Sequence, residues 1–165
     1  MKNIVLIGMP GCGKSTCGVL VAKALCKSFV DTDLLIQSHE DMGLQEIIET
    51  KGNGYFSETE ERILTELSNK NSVIATGGSA VYYENAMRSL KSGGIVIYLK
   101  ISYANMADRI KNIKTRGILL RDGEDLRQMY SARVRLYEKY ADVIIDCDGS
   151  DVEDTVEKIC EAYKG

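Results

Sequence analysis

Gly8-Met9-Pro10-Gly11-Cys12-Gly13-Lys14-Ser15 is the stretch that decides the fold. It follows the pattern Gly-x-x-x-x-Gly-Lys-Ser, and Thr16 comes next. The glycines let backbone amides converge on phosphate oxygens with no Cβ in the way. The amino end of a following helix adds partial positive charge. Lys14 can then reach the β- and γ-phosphates, and the Ser15 hydroxyl can ligate magnesium. Such a loop carries weight only between a strand and a helix. Both flanks qualify. Asn3-Ile4-Val5-Leu6-Ile7 is a continuous apolar run that ends at a glycine, as a strand buried on both faces does. From Lys14 to Cys26, Val19, Val21, Ala22 and Leu25 fall at helical spacing. The stretch implies binding of a nucleoside triphosphate with magnesium.

Working outward, short apolar runs alternate with helical patterns. Phe29-Val30-Asp31, Ser72 to Thr76, Ile95 to Leu99 and Val143 to Asp146 read as further strands. Between them, residues 34–52 read as one or two helices interrupted near Gly43. Residues 56–67 read as another, with Ile63, Leu64 and Leu67 on one face. Residues 83–91, 104–110 and 125–140 follow. Residues 152–163 close the chain, with Val152, Val156, Ile159 and Cys160 facing inward. Residues 111–123 are polar and fit a mobile loop. The alternation predicts an α/β fold of three layers, a parallel sheet with helices on both faces, in one domain over residues 1–165. Ligand sites in such sheets gather at the carboxyl ends of the strands.

Composition excludes several classes. The chain has 165 residues, 44% apolar and 27% charged, with a formal net charge of −3. No global basic field draws it to nucleic acid, and no apolar run approaches the roughly 20 residues of a membrane span. The apolar start leads straight into the glycine loop, so it reads as a strand and not as a signal peptide. The five cysteines are odd in number and lack paired metal spacing, which fits reduced thiols in the cytoplasm. Cys12 lies in the loop, where oxidation would block nucleotide binding; the plainer reading is a small loop residue. His39 has no partner at zinc-ligand spacing and reads as a surface helix residue.

Three further features carry chemistry. Asp31-Thr32-Asp33 ends the second strand, and its two carboxylates point the same way. They can hold a metal-bound water or polarise an acceptor hydroxyl. Alternatively they form a solvated turn in which Asp33 caps a helix. Thr76-Gly77-Gly78-Ser79 lets a ligand lie against backbone, or is a turn capped by Ser79. Arg109, Arg116, Arg121 and Arg133 are candidates for neutralising a transferring phosphoryl group, with no one of them singled out by the pattern.

These landmarks, in order, resemble the shikimate kinase family over nearly the whole chain. They are the phosphate loop, Phe29 to Asp33, Gly54-Tyr55-Phe56 with Glu60, Ala75 to Gly78, Arg109, the Arg116 loop, and Arg133 through Tyr137. The resemblance implies a five-stranded parallel sheet like that of nucleoside monophosphate kinases. It implies a lid at about 111–123 and an acceptor-binding region at about 31–62. It implies ATP and Mg2+, and a small hydroxylated carboxylate, shikimate, as acceptor in aromatic amino-acid biosynthesis. It also implies a cytoplasmic monomer. Lys14, Asp33 and Arg116 would be catalytic. Gly11, Cys12, Gly13, Lys14, Ser15, Thr16, Arg109 and Arg116 would hold the nucleotide, with Arg109 against adenine. Ser15 and Asp31 would serve the metal. Asp33, Ser57, Glu60, Gly77, Gly78 and Arg133 would form the acceptor site, with Arg133 pairing with a carboxylate.

Three positions depart from the family pattern. Ser57 stands where the family places an arginine that grips the acceptor carboxylate, and Glu58 follows it. Ser79 replaces the third glycine of the turn. Gly117 replaces the lid proline, which would loosen the lid. Losing a charge-assisted contact of about 1.5–3 kcal/mol weakens an anionic acceptor roughly ten- to a hundredfold. Arg62, five residues on from Ser57 along a helix, is poorly directed to replace it. Two alternatives therefore stand beside shikimate: another small polyol or hydroxy acid, and a nucleotide-binding module without transfer.

Overall fold

The apolar run before the phosphate loop forms the middle of a sheet. In the computed structural model, which describes residues 1–111 and 117–165, β1 (Asn3–Ile7) is buried along its whole length. It pairs in parallel with β3 (Ser72–Ala75) on one side and β4 (Gly94–Lys100) on the other. β2 (Ser28–Asp31) joins β3, and β5 (Val143–Asp146) joins β4, giving the order β2-β3-β1-β4-β5. All four pairings are parallel, so the carboxyl ends of β1, β2 and β3 lie along one edge. The register sets Leu6 beside Ala75 and Asp31 beside Ala75 on its other side. That edge receives the phosphate loop, the Asp31-Thr32-Asp33 segment and the Gly77-Gly78 turn.

The helices are α1 (Lys14–Ala24), α2 (Thr32–Glu40), α3 (Leu44–Thr65), α4 (Glu84–Gly93), α5 (Tyr103–Lys111), α6 (Leu126–Tyr140) and α7 (Val152–Lys164). A short 3-10 turn, Ala80–Tyr82, precedes α4. Among the described helices none is long and apolar enough to cross a membrane. α6 begins with a reciprocal cap: the Asp125 carboxylate accepts from the Gln128 amide, and the Gln128 side chain accepts from the Asp125 amide.

Some expectations from sequence hold and others need correction. The expected break at residue 52 is present: Gly52, with a non-helical φ of 86° and ψ of 167°, divides α3 into two helices that meet at a kink, the second starting a few residues before the expected residue 56. The break near Gly43 is real: Asp41 adopts a left-handed φ of 53° at the end of α2, and Gly43 caps α3. Ile63 and Leu64 do not share a face. Leu64 enters the main core beneath the sheet, with Leu67 packed on it, whereas Ile63 packs on a smaller cluster of Ile36, Ile47 and Phe56. Consecutive residues on a helix are about 100° apart, and here two cores lie on adjacent sides. On α7, Thr155 and Ile159 are buried while Val152 is exposed, because Val152 is the first helical residue beyond the Asp151 cap. Val19 on α1 is likewise exposed.

Candidate active site

Left-handed backbone shapes the phosphate loop. Gly11 and Gly13 have φ of 77° and 98°, which side-chain-bearing residues rarely adopt. Gly13 caps α1 directly, so the helix's first free amides face the loop. Lys14 is nearly buried and its Nζ donates to the carbonyls of Gly8 (2.7 Å) and Met9 (2.8 Å). The ammonium is thereby held across the loop mouth. Gly11, Gly13, Lys14, Ser15 and Thr16 all line a cleft of about 530 Å³. Cys12 does not. Its side chain is buried, its Sγ lies 3.6 Å from the Lys14 Nζ, and its amide is spent on the Met9 carbonyl at 3.2 Å. Arg109 reaches the loop from α5, its Nη1 donating to the Gly11 carbonyl at 2.9 Å.

Across the cleft, Asp31 has two tasks. Its Oδ2 accepts from the Ser15 hydroxyl at 2.6 Å. Its Oδ1 accepts from the amides of Asp33 (3.0 Å) and Leu34 (3.3 Å), which makes Asp31, and not Asp33, the cap of α2. A carboxylate so fixed next to a hydroxyl is a pair of hard oxygen donors. That is the kind of set that suits magnesium, which keeps several waters and binds through few protein ligands. Asp33, which is not the cap of α2, lines the cleft.

The opposite wall is the turn after β3, which is built on close approach. A Cβ at Gly77 would lie 2.7 Å from Asp33 Oδ1 and 2.9 Å from Glu60 Oε1. A Cβ at Gly78 would lie 2.8 Å from Arg133 Nη1 and 2.9 Å from Pro10 Cδ. Only glycine leaves room for both. The turn is tied down on three sides: the Gly77 amide donates to Thr32 Oγ1 (3.2 Å), Thr76 Oγ1 donates to the Leu6 carbonyl (2.9 Å), and the Tyr137 hydroxyl donates to the Gly78 carbonyl (2.6 Å). Ser79 caps no helix by its side chain; its hydroxyl turns inward to Glu60.

Arg133 is 1% exposed, yet it lines the cleft. Its Nη2 donates to the Leu119 carbonyl at 2.6 Å, and its Nε has no hydrogen-bond partner among the described residues. Lys14 and Arg133 are the cations among the described lining residues. Glu60 and Ser57 do not line the wall. Glu60 is fully buried behind it, with Oε2 accepting from Ser79 (2.6 Å) and Tyr83 (2.9 Å). Burial above all pushes its carboxyl up to about 7; the Ser79 hydrogen bond opposes the rise and nearby Asp33 adds to it. Ser57 lies beside the Tyr83 phenol. Arg62 is turned away, its Nη2 3.3 Å from the exposed His39. Arg116 lies outside the described residues.

Residues 117–120, within the stretch expected to form a lid, lie against α3. A Cβ at Gly117 would come within 2.6 Å of Leu44 Cβ and 2.8 Å of the Gln45 amide nitrogen. The Leu120 carbonyl accepts from Asn53 Nδ2 at 3.0 Å, and Leu119 packs on the Ile36–Ile47–Phe56 cluster. Glycine at 117 permits this close approach to α3. The sequence carries no sign of Tyr83 at the site, and it placed Thr32, Ser79 and Tyr137 in the right motifs without the hydroxyl contacts they make. Tyr137 was within reach of a rule, since it stands four residues after Arg133 on one helix face.

A phosphate loop, a fixed hydroxyl–carboxylate pair and a glycine wall backed by a buried arginine, all at one edge of a parallel sheet, define a small-molecule kinase of the P-loop class. Comparison with known proteins narrows this. The family model described as "Shikimate kinase" matches residues 10–164. A shikimate kinase of Clostridium botulinum (strain Okra / Type B1) is 39% identical over 168 residues, covering 99% of this chain and 97% of that one. One of Sulfurihydrogenibium sp. is 36% identical, covering 99% of each. Among solved structures, shikimate kinase from Acinetobacter baumannii in complex with shikimate superposes with a TM-score of 0.90 at 32% identity, covering 98% of this chain and 92% of that one. The enzyme of Aquifex aeolicus gives 0.85 at 32% identity, covering 99% and 96%. The chain belongs to the shikimate kinase family.

Proposed function

We propose that this enzyme transfers the γ-phosphoryl group of magnesium-bound ATP to a hydroxyl of shikimate, giving shikimate 3-phosphate and ADP. The observation that carries the reading is the facing of two half-sites across one cleft. Lys14, Ser15 and Asp31 stand on the donor side, and Asp33, Gly77, Gly78 and Arg133 on the acceptor side. Relatives bearing the shikimate kinase name over nearly their full length support the choice of acceptor.

The roles follow from the chemistry of each group. Loop amides and Lys14 bind the phosphates, and Arg109 flanks the base. Ser15 and Asp31 would hold magnesium, whose charge would screen the phosphates when bound. Arg133 pairs with the acceptor carboxylate, and the Gly77 and Gly78 backbone positions its ring. Asp33 accepts the hydrogen bond of the attacking hydroxyl and takes its proton. The acceptor oxygen then bonds to the γ-phosphorus as the bond to the β-phosphate oxygen breaks. Action as a monomer in the cytoplasm completes the proposal.

A second reading, another hydroxy acid as acceptor, is favoured by one observation. Arg133 is the one guanidinium among the described lining residues, and Ser57 brings no second. An ADP-release assay with shikimate and a panel of hydroxylated acids separates the two. The proposal expects shikimate to lead the panel in kcat/KM by at least about a hundredfold, the span of one well-paired carboxylate contact and one hydroxyl contact. A different acid leading the panel replaces it, and ATP binding without transfer to any acceptor ends both.

A further inference from the structure

Glu60 sits where a carboxylate is costly. It is fully buried on α3, and among the described residues no lysine or arginine forms an ion pair with it. Two neutral hydroxyls, from Ser79 and Tyr83, hold Oε2. Oε1 has no hydrogen-bond partner among the described residues and approaches within 2.9 Å of the point where a Gly77 Cβ would stand. Asp33 Oδ1 approaches the same point within 2.7 Å from the cleft side. Two carboxyl groups therefore share one glycine, one behind the wall and one on it.

We propose that Glu60 is a positioning residue of the acceptor site: clamped by the Ser79 and Tyr83 hydroxyls in place of a cation, it carries a proton and in that form sets the place of Asp33 and of the Gly77 backbone. The proposal rests on the reading of Asp33 and Gly77 as the acceptor wall. The groups facing Glu60 from the packed elements are Asp33 on α2, Ser79 and Tyr83 before α4, and Arg133 on α6. A neutral Glu60 adds no charge beside the Asp33 carboxyl. An ionised Glu60 puts a second negative charge behind the wall that must receive an anionic acceptor. Burial raises the Glu60 carboxyl to about 7, so this change falls in the neutral range. The Ser79 hydrogen bond favours the ionised form, so removing it moves the change to higher pH. Ser79, which stands in place of a glycine in the family's turn, thereby becomes a determinant of how this chain reads its acceptor.

The test is the pH dependence of the acceptor KM, measured with shikimate at saturating ATP for wild type, Ser79→Ala and Glu60→Gln. Ser79 has a right-handed helical backbone, φ −88° and ψ −5°, which alanine adopts without strain. Wild type is expected to show the acceptor KM rising about tenfold or more through a step with a midpoint near 7. Ser79→Ala moves that midpoint upward. Glu60→Gln abolishes the step, and the KM for ATP keeps its wild-type pH dependence in both variants. A purely structural role would change kcat or stability and leave the step in place. A step that persists in Glu60→Gln, or the lack of any step in wild type, overturns the proposal. Absence of turnover with shikimate defeats only the acceptor reading, and carbon-13 and amide NMR of the acceptor-free protein then decides. The Glu60 carboxyl and the Gly77 amide are expected to share a titration near pH 7 that rises in Ser79→Ala. In Glu60→Gln the Gly77 amide loses it. A Glu60 midpoint in the ordinary carboxylate range overturns the proposal.

Discussion

Gly77→Ala adds one methyl group between two carboxyl groups. Its Cβ would start 2.7 Å from Asp33 Oδ1 and 2.9 Å from Glu60 Oε1, whereas ordinary van der Waals contact begins at 3.4 Å. The two oxygens must therefore retreat by about 0.7 and 0.5 Å, or the turn must move by a similar amount. Glu60 has little room to give, being fully buried with Oε2 bound to two hydroxyls. Asp33, on the cleft wall, takes most of the displacement. Misplacing a reacting group by 1 Å can cost about a hundredfold. A shift of 0.7 Å in Asp33 should then lower kcat/KM for the acceptor by about 30- to 100-fold, which is about 2–2.7 kcal/mol of transition-state stabilisation. The donor side is untouched, so KM for ATP should stay within about twofold. Overpacking should also cost about 1–3 kcal/mol of stability, visible as a lowered thermal midpoint. The assay is steady-state ADP release with each substrate varied in turn, paired with thermal unfolding. An acceptor kcat/KM within about threefold of wild type, with the protein folded, would show that the wall does not hold Asp33 as the geometry implies.

Other perturbations bear on separate parts of the site. Arg133→Lys keeps a charge but loses the planar guanidinium and the Leu119 contact; the acceptor KM should rise about tenfold or more, with the ATP KM unchanged, in the same steady-state assay. Asp31→Asn keeps the shape of the α2 cap but removes the charge beside Ser15; the magnesium concentration for half-maximal rate should rise by about tenfold. Gly117→Ala should dislodge residues 117–120 from α3, read as faster amide exchange at Leu119 and Leu120 and a raised acceptor KM. Glu60 also links pH to stability. Its folded-state carboxyl, near 7, is raised above the reference 4.5, so its protonated form stabilises the fold fully below about 4.5 and this contribution is lost as pH rises toward 7. The loss is on the order of 3 kcal/mol, and denaturant titrations at pH 5 and pH 7.5 should show it in wild type and not in Glu60→Gln.

The donor half of the site could be read in the sequence because its signal is local. Eight contiguous residues, an apolar run before them and a helical pattern after them put Lys14 and Ser15 where they are found. The strands were equally accessible, since each is a short apolar run bounded by polar or glycine residues. The acceptor half depends on long-range packing. A glutamate in the middle of a charged helix carries no sign that it will be buried; that follows only when α3 meets Ser79 and Tyr83 across the turn after β3. Arg133 looks like any solvated arginine on an amphipathic helix, and its burial is set by Gly78, Pro10 and Leu119 from three separate segments. The break in α3 at Gly52 was legible, because glycine ordinarily marks a break and here takes a non-helical φ of 86°. Ser57 read as the loss of a carboxylate clamp; the structure adds that Glu60, three residues on, is held by two hydroxyls, with no ion pair among the described residues.

The most direct measurement is phosphorus-31 NMR of the purified protein with magnesium, ATP and shikimate, run beside Lys14→Ala. The γ-phosphate resonance should disappear as a phosphomonoester resonance on the acceptor and the two resonances of ADP grow in equal amounts, with Lys14→Ala slower by about a hundredfold or more. Release of inorganic phosphate with no phosphomonoester, or equal rates for the two proteins, would contradict transfer of the phosphoryl group from this loop to this acceptor.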